Sequence, residues 1–352
     1  MGFFENRSQN RRNGLLWLLV ISLSLFLCGC NSGSGAGDDR TTITRLLMDT
    51  RVDLTLYGVD KKTSEQVAEA VFSEMERLEM ILSRTILSSE LSSINEAAGK
   101  MWVEVTPEFF AFLKKVLEFS ALSEGAFDPT VAPLLDLWGF MGEGQPKVPT
   151  EDELRDALTL VDYSLVELDE DALGVYLPLE GMMLDFGGIA KGYIIDRGVE
   201  IAREFDLEAF FINAGGDIRM YGKKPSGEKW SIAVQDPREN PDVYSNIAIL
   251  RLEGDGSIVT SGDYQRFFEI NGEKYHHIMD PWAGKPVDHL ASVTIVTDDA
   301  MTADALSTAV FVLGKELGLS LLESLPGIEG LVVDPEGGVY YTTGLEGIVE
   351  FP

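Results

Sequence analysis

Cysteine is almost absent: the 352-residue chain has two, Cys28 and Cys30, both near its N-terminus. Histidine is nearly as scarce, and all three, His276, His277 and His289, fall in one short stretch. Positive charge is short as well, with 28 Lys and Arg against 58 Asp and Glu and a formal net charge of -30. The common nucleotide signatures are missing too: no strand-like run leads into Gly-x-Gly-x-x-Gly, and no Walker-A sequence occurs. Each scarcity excludes something. Without thiols after position 30, the body of the chain can use neither a disulfide framework nor thiol catalysis. The anionic field repels nucleic acid and anionic lipid headgroups, so neither is expected as a partner. It would also repel an anionic substrate, and binding one requires a metal ion, backbone N–H groups or local Lys and Arg.

The N-terminal segment carries a specific pattern. Arg7, Arg11 and Arg12 precede an apolar run, Leu15 to Leu27, that is short for a membrane span. The run ends in Leu27-Cys28-Gly29-Cys30, which resembles a bacterial lipobox. That resemblance implies cleavage after residue 29 and lipidation of Cys30. Residues 1–29 then read as a lipoprotein signal peptide and 30–40 as a flexible tether, Gly- and Ser-rich at Asn31 to Gly37. The expected location is outside the cytoplasm, with the lipid as the one membrane attachment. An uncleaved anchor helix is the alternative.

Past the tether, no composition break divides residues 41–352, which read as one catalytic unit of one or two lobes. Arg51 to Val59 alternates apolar and polar residues as a strand does. Val67, Val71, Met75, Leu78 and Leu82 form one helical face, with Ser64 as its expected cap. Thr106-Pro107 opens a second helix, and Thr150 with Glu153 forms a capping box for a third. Short strands are expected at 165–168, 174–177 and 182–184, and then repeatedly from 209 onward. Asn271-Gly272 marks a hairpin, and a helix is expected over about 301–313. Hairpins interleaved with helices predict an α+β fold of largely antiparallel sheets.

Five segments carry candidate chemistry, and each has a plainer structural reading beside it. Asp185-Phe186-Gly187-Gly188-Ile189-Ala190-Lys191 sets glycines and a lysine at a helix start, suited to phosphate or to a tight turn. Asn213-Ala214-Gly215-Gly216-Asp217 ends a strand and equally suits a bulge. Thr260-Ser261-Gly262-Asp263-Tyr264 leads toward the histidines. Zinc on His276, His277 and His289 is disfavoured, because adjacent strand residues face opposite sides. One histidine acting as acid, base or substrate anchor fits better. Asp304 and Thr308, four apart on a helix, offer hard oxygens for Mg²⁺ or a simple surface hydrogen bond. Ala126-Phe127-Asp128 can stack on a ring system and bind a ribose or ring N–H, or Phe127 can sit in the core.

Taken in order along the chain, these segments resemble the ApbE family of FAD:protein FMN transferases. The match also includes Met48-Asp49-Thr50, Ser89-Glu90-Leu91-Ser92, His277-Ile278-Met279-Asp280-Pro281 and Ala303-Asp304-Ala305-Leu306-Ser307-Thr308. The resemblance covers 41–352 and implies an ApbE-like, T-fold-like catalytic unit. It implies Mg²⁺-dependent transfer of FMN from FAD to a Thr or Ser hydroxyl of an acceptor protein, with AMP released. The acceptor it implies is an exported or membrane redox subunit. Hydrolysis of FAD to FMN and AMP, or flavin binding without catalysis, are the alternatives. By resemblance, Met48, Ala126, Phe127, Asp128, Lys191 and Thr260 contact FAD. Ala190, Asp304 and Thr308 hold the metal, and His277 and Asp304 serve catalysis. One position departs: members often carry a Tyr where this chain has Thr85 in Ser83-Arg84-Thr85. Phe127 and Arg84 are the candidates to take over its stacking contact.

Overall fold

The computed structural model describes residues 39–141, 144–238 and 245–352, so the expected signal peptide, Cys30 and nearly all of the tether lie outside the described residues. Eight strands build the central sheet: β1 (Arg40–Leu47), β2 (Thr50–Tyr57), β3 (Ala209–Ala214), β4 (Asp217–Gly222), β5 (Gly256–Gly262), β6 (Ser292–Thr297), β7 (Glu329–Val333) and β8 (Val339–Tyr341). They lie side by side in chain order, and each neighbouring pair is antiparallel. The sheet is therefore a meander whose connections carry most of the rest of the chain. Those connections include helices α1 (Lys61–Leu82), α2 (Glu90–Ala97), α3 (Pro107–Leu122), α4 (Ala132–Trp138), α5 (Glu151–Leu158), α6 (Ala190–Ala202) and α7 (Ala300–Ser324).

Strand alternation divides the sheet's side chains between two cores. Val52, Leu54 and Leu56 of β2, with Phe210 and Ile212 of β3 and Val293 and Ile295 of β6, face the helices. There they meet Val67, Val71 and Met75 of α1, Ile194 and Ile195 of α6, and Leu306 and Val310 of α7. The opposite register, including Ala209, Met220, Ile258 and Leu331, packs on Trp230, Val234, Ala248 and Leu250. These last four belong to a small sheet of Trp230–Gln235, Asn246–Leu252 and Val349–Glu350. Layered helices, sheet and second sheet give the α+β architecture that the hairpin pattern predicts.

Several local readings hold in atomic detail. Thr106 Oγ1 accepts the Phe109 N–H at 3.3 Å, and the Thr150–Glu153 capping box is complete. Asn271 and Gly272 both have positive φ and close the hairpin between Phe267–Ile270 and Glu273–His276. Two expectations are corrected. Asp60, not Ser64, caps α1: its carboxylate accepts the Thr63 N–H at 2.9 Å, while the buried Ser64 hydroxyl donates to the Asp60 carbonyl. Met182–Leu184 is not a strand. The Leu184 N–H and C=O are both satisfied by the Asn95 side-chain amide, at 2.7 and 2.9 Å, which replaces a neighbouring strand. The helix expected over about 301–313 does break after Leu313, at Gly314 with non-helical φ 78° and ψ 178°, and a further helical stretch then runs to Ser324.

Candidate active site

A cavity of about 790 Å³ is lined by the ends and connections of the central sheet's strands, by helix residues and by Ala233, Gln235 and Asn246 of the small second sheet. It gathers Met48 from the β1–β2 turn, Arg84 after α1, and Ala126, Phe127 and Asp128 after α3. Ala190 and Lys191 come from the start of α6, Asp217 from β4, Thr260 from β5, His277 from the hairpin's exit, and Asp304 and Thr308 from α7. Segments up to 260 positions apart in the chain, Met48 and Thr308 being the extremes, thus share one wall.

Two glycines explain how α6 and α7 come together there. A Cβ on Gly192 would overlap the Ala300 carbonyl oxygen and lie 2.9 Å from Asp304 Cβ. A Cβ on Gly188 would lie 2.8 Å from Thr308 Oγ1 and 3.4 Å from the Phe127 ring. The glycines therefore leave space directly beside both expected metal ligands. Asp304 Oδ2 accepts the Gly192 N–H at 2.9 Å. Asp304 Oδ1 and Thr308 Oγ1 have no hydrogen-bond partner among the described residues, so both oxygens can accept a hard cation. The first turn of α7 is fixed from outside: Asp196 of α6 accepts the Ala300 and Met301 N–H groups at 2.9 and 2.8 Å, and Asp299 caps Thr302.

The electrostatics match a cation site. Burial and the nearby Asp217 carboxylate push Asp304 up to about 7, against the pull of Lys191 and the Gly192 N–H. Lys191 ion-pairs with the almost fully buried Asp217. Burial alone would lower its ammonium, but Asp217 and Asp304 outweigh that and hold it above its ordinary value. Asp217 also accepts the Thr260 N–H at 3.3 Å, and Thr260 Oγ1 meets Thr294 Oγ1 at 2.9 Å. At the start of α6 the Ala190 N–H goes to the Phe186 carbonyl and the Gly192 N–H to Asp304, which leaves the Lys191 N–H as the first-turn amide without a partner among the described residues, with the helix dipole behind it.

The remaining residues divide by how their polar atoms are used. Asp128 lines the cavity, but its Oδ1 accepts the Thr130 N–H and hydroxyl at 2.7 and 2.5 Å, and its Oδ2 accepts the Tyr163 N–H at 3.0 Å. Its carboxylate is thereby committed to holding the loop that presents Phe127, and burial raises it above the usual range. Arg84 is likewise locked, donating to Asp185 at 2.7 Å and to Asp136 at 2.6 Å. It pins the Ser83–Thr85 loop to the glycine segment rather than offering a mobile side chain. Met48 and Asp49 have φ of 53° and 55°, a strained conformation for non-glycine residues, and form the two-residue β1–β2 turn. The Met48 N–H is held by Glu79 at 3.0 Å.

The three histidines do not converge. His276 is buried, donating from Nε2 to the Val287 carbonyl and accepting the Ile278 N–H at Nδ1. His289 donates to the Phe311 carbonyl at 3.1 Å, beside the Gly314 kink. Only His277 lines the cavity. Its Nδ1 lies 3.2 Å from the Arg266 carbonyl, which can only accept, so Nδ1 carries the proton and Nε2 keeps its lone pair. Burial, then the Arg266 guanidinium, pulls its pKa down to about 3. The ring is therefore expected to remain neutral in the substrate-free protein, with its NMR shifts constant from pH 5 to 8. A titration centred near 6.5 would contradict this environment.

The residue pattern places Asp217 in a candidate glycine segment without a role of its own, and does not single out Asp196 or Arg266 as site members. Of these, Asp217 alone has a signal, a charged residue directly after a glycine pair at a strand boundary. Comparison with known proteins fits the geometry. The ApbE family pattern matches residues 48–332. A Treponema pallidum protein named FAD:protein FMN transferase is 33% identical over 92% of each chain. A Klebsiella pneumoniae protein of the same name is 35% identical over 82% of this chain and 87% of its own. The ApbE protein from Thermotoga maritima has a crystal structure with a TM-score of 0.82 and 36% identity, covering 88% of this chain and 99% of that one. The apo Pseudomonas stutzeri flavinyl transferase ApbE gives 0.76 at 29% identity, covering 88% and 97%. The chain belongs to the ApbE family.

Proposed function

We propose that the chain transfers FMN from FAD to a Thr or Ser hydroxyl of an acceptor protein, releasing AMP, with Mg²⁺ bound at Asp304, Thr308 and the Ala190 carbonyl. We further propose that it acts outside the cytoplasm, anchored by lipid at Cys30. The observation that carries the reading is the Asp304–Thr308 pair set against the Gly188–Lys191 helix start in one cavity. The names of the Treponema and Klebsiella relatives support the same activity.

The chain's residues divide the work. The Lys191 N–H and the helix dipole at the start of α6, with the Lys191 ammonium, attract the pyrophosphate into an otherwise acidic protein. Phe127 reaches the cavity wall from the core, where its side chain is almost fully buried. Neutral His277 presents Nε2 to the acceptor hydroxyl and takes its proton. The pyrophosphate's negative charge offsets the Arg266 and Lys191 charges that add to the effect of burial on the ring, so its basicity rises by that part as substrate binds. A bound Mg²⁺ supplies neutralisation of charge developing on the phosphoryl oxygens.

The test is to incubate the chain with FAD, Mg²⁺ and a candidate acceptor domain, weigh the intact acceptor and assay AMP. One FMN added per acceptor, dependent on Mg²⁺ and matched by AMP, is expected. AMP and free FMN without labelling of any acceptor would identify a hydrolase. Intact bound FAD without AMP would identify a flavin carrier.

A further inference from the structure

Three cations line the cavity among the described residues, and two are already matched to carboxylates. Arg84 pairs with Asp136 and Asp185, and Lys191 pairs with Asp217. Arg266 has no carboxylate partner among the described residues. Its Nη1 reaches only Met141 Sδ, at 3.3 Å, a weak acceptor that is given up at little cost. Asp49, Glu79, Asp128, Asp185, Asp217 and Asp304 also line this cavity, in a chain of net charge -30. An unmatched guanidinium there is the exception, and its five donors suit phosphate oxygens better than any other side chain.

Arg266 also holds the candidate base. Its carbonyl accepts from both the His277 N–H and His277 Nδ1, each at 3.2 Å. The residue that fixes the imidazole by its main chain thus brings a positive charge to the same side of the cavity by its side chain. In the proposed transfer, the acceptor oxygen forms a bond to the FMN-side phosphorus. The bond from that phosphorus to the bridging oxygen breaks, the electron pair leaves with AMP, and the hydroxyl proton passes to His277 Nε2. The phosphoryl group in transit lies next to the base, because the base contacts the attacking hydroxyl.

Resting on the transferase reading, we propose that Arg266 binds the non-bridging oxygens of the FMN-side phosphoryl group during transfer. This is a substrate-binding role distinct from the metal ligands and from Lys191. Replacement of the side chain leaves the carbonyl in place, and the side chain is exposed, so Arg266→Gln keeps both the fold and the His277 contact.

The experiment measures FMN, riboflavin, AMP and adenosine binding to the chain and to Arg266→Gln and Arg266→Lys. The Gln variant is expected to weaken FMN by about tenfold to a hundredfold, as for a lost charged hydrogen bond. Riboflavin, AMP and adenosine affinities should stay unchanged, and Lys should recover part of the loss. Unchanged FMN affinity would overturn the assignment. Equal weakening of FMN and riboflavin would overturn it too, since it marks general damage to the cavity. Loss of AMP affinity in place of FMN would place the contact on the other phosphate and refute it. The transferase reading is judged separately, by acceptor labelling with the unaltered chain.

Discussion

Replacing Asp304 by Asn should abolish FMN transfer and at the same time make the metal-free protein more stable. The first effect follows from ligand chemistry. Asn keeps a carbonyl oxygen for the Gly192 N–H, so the local geometry at 2.9 Å survives. It removes the one charge that, with Thr308, would hold a divalent cation, and turnover should fall by about a thousandfold or more, the several kcal/mol such an ion supplies. The second effect follows from the same carboxylate's environment. Its pKa rises from 3.8 to about 7 on folding, chiefly through burial. The folded state therefore binds more protons than the unfolded state between those values. The stability this group contributes is present at low pH and lost as pH rises through about 7. At pH 8 the ionised, metal-free carboxylate costs up to about 4 kcal/mol by that shift, which Asn avoids. Thermal melts at pH 6 and 8, with and without Mg²⁺, separate the terms. The unaltered chain should gain stability from Mg²⁺, more at pH 8 than at pH 6, and the Asp304→Asn variant should not respond. Full turnover of the variant at saturating Mg²⁺ would overturn the proposed metal site at Asp304.

Much of this site is legible in the sequence because each part sits at the end of a regular element. Glycines before α6, a glycine pair between β3 and β4, and oxygens four apart on α7 all follow from local periodicity. Their convergence does not. The β1–β2 turn and α7 are brought together by a meander whose strand order becomes apparent only when the long connections are folded away. The misread strand at Met182–Leu184 has the same origin. A side-chain amide, Asn95, can satisfy a backbone as a strand would, and no local pattern signals that. Asp128 shows the converse. Its motif is plain in the sequence, but only the structure reveals that Thr130 and Tyr163 occupy its oxygens. Arg266 carries no pattern at all, since a charge without a carboxylate partner among the described residues is defined by what it lacks.

Gly192→Ala should be the most destabilising small substitution near the site, and it sets two effects against each other. Gly192 lies inside α6 with ordinary helical φ, so helix propensity alone favours Ala by about 1 kcal/mol. The crossing with α7 opposes this. The new methyl would overlap the Ala300 carbonyl oxygen and press on Asp304 Cβ. A flexible side chain could retreat, but a backbone carbonyl in the first turn of α7 cannot. That turn is tied down by Asp196 through the Ala300 and Met301 amides and by Asp299 through Thr302. Relief requires α6 and α7 to separate, which also stretches the Gly192–Asp304 hydrogen bond and moves Asp304, the proposed metal ligand, away from Thr308 and the Gly188 segment. Overpacking of this kind costs about 1–3 kcal/mol or more, enough to exceed the propensity gain. Denaturant melts should show a net loss of about 1–2 kcal/mol, from the upper half of that cost less the propensity gain, and turnover should fall well beyond the small unfolded fraction this produces at 25 °C. A variant with unchanged or raised stability would show that the two helices part without cost, and that the close α6–α7 crossing does not set the position of Asp304.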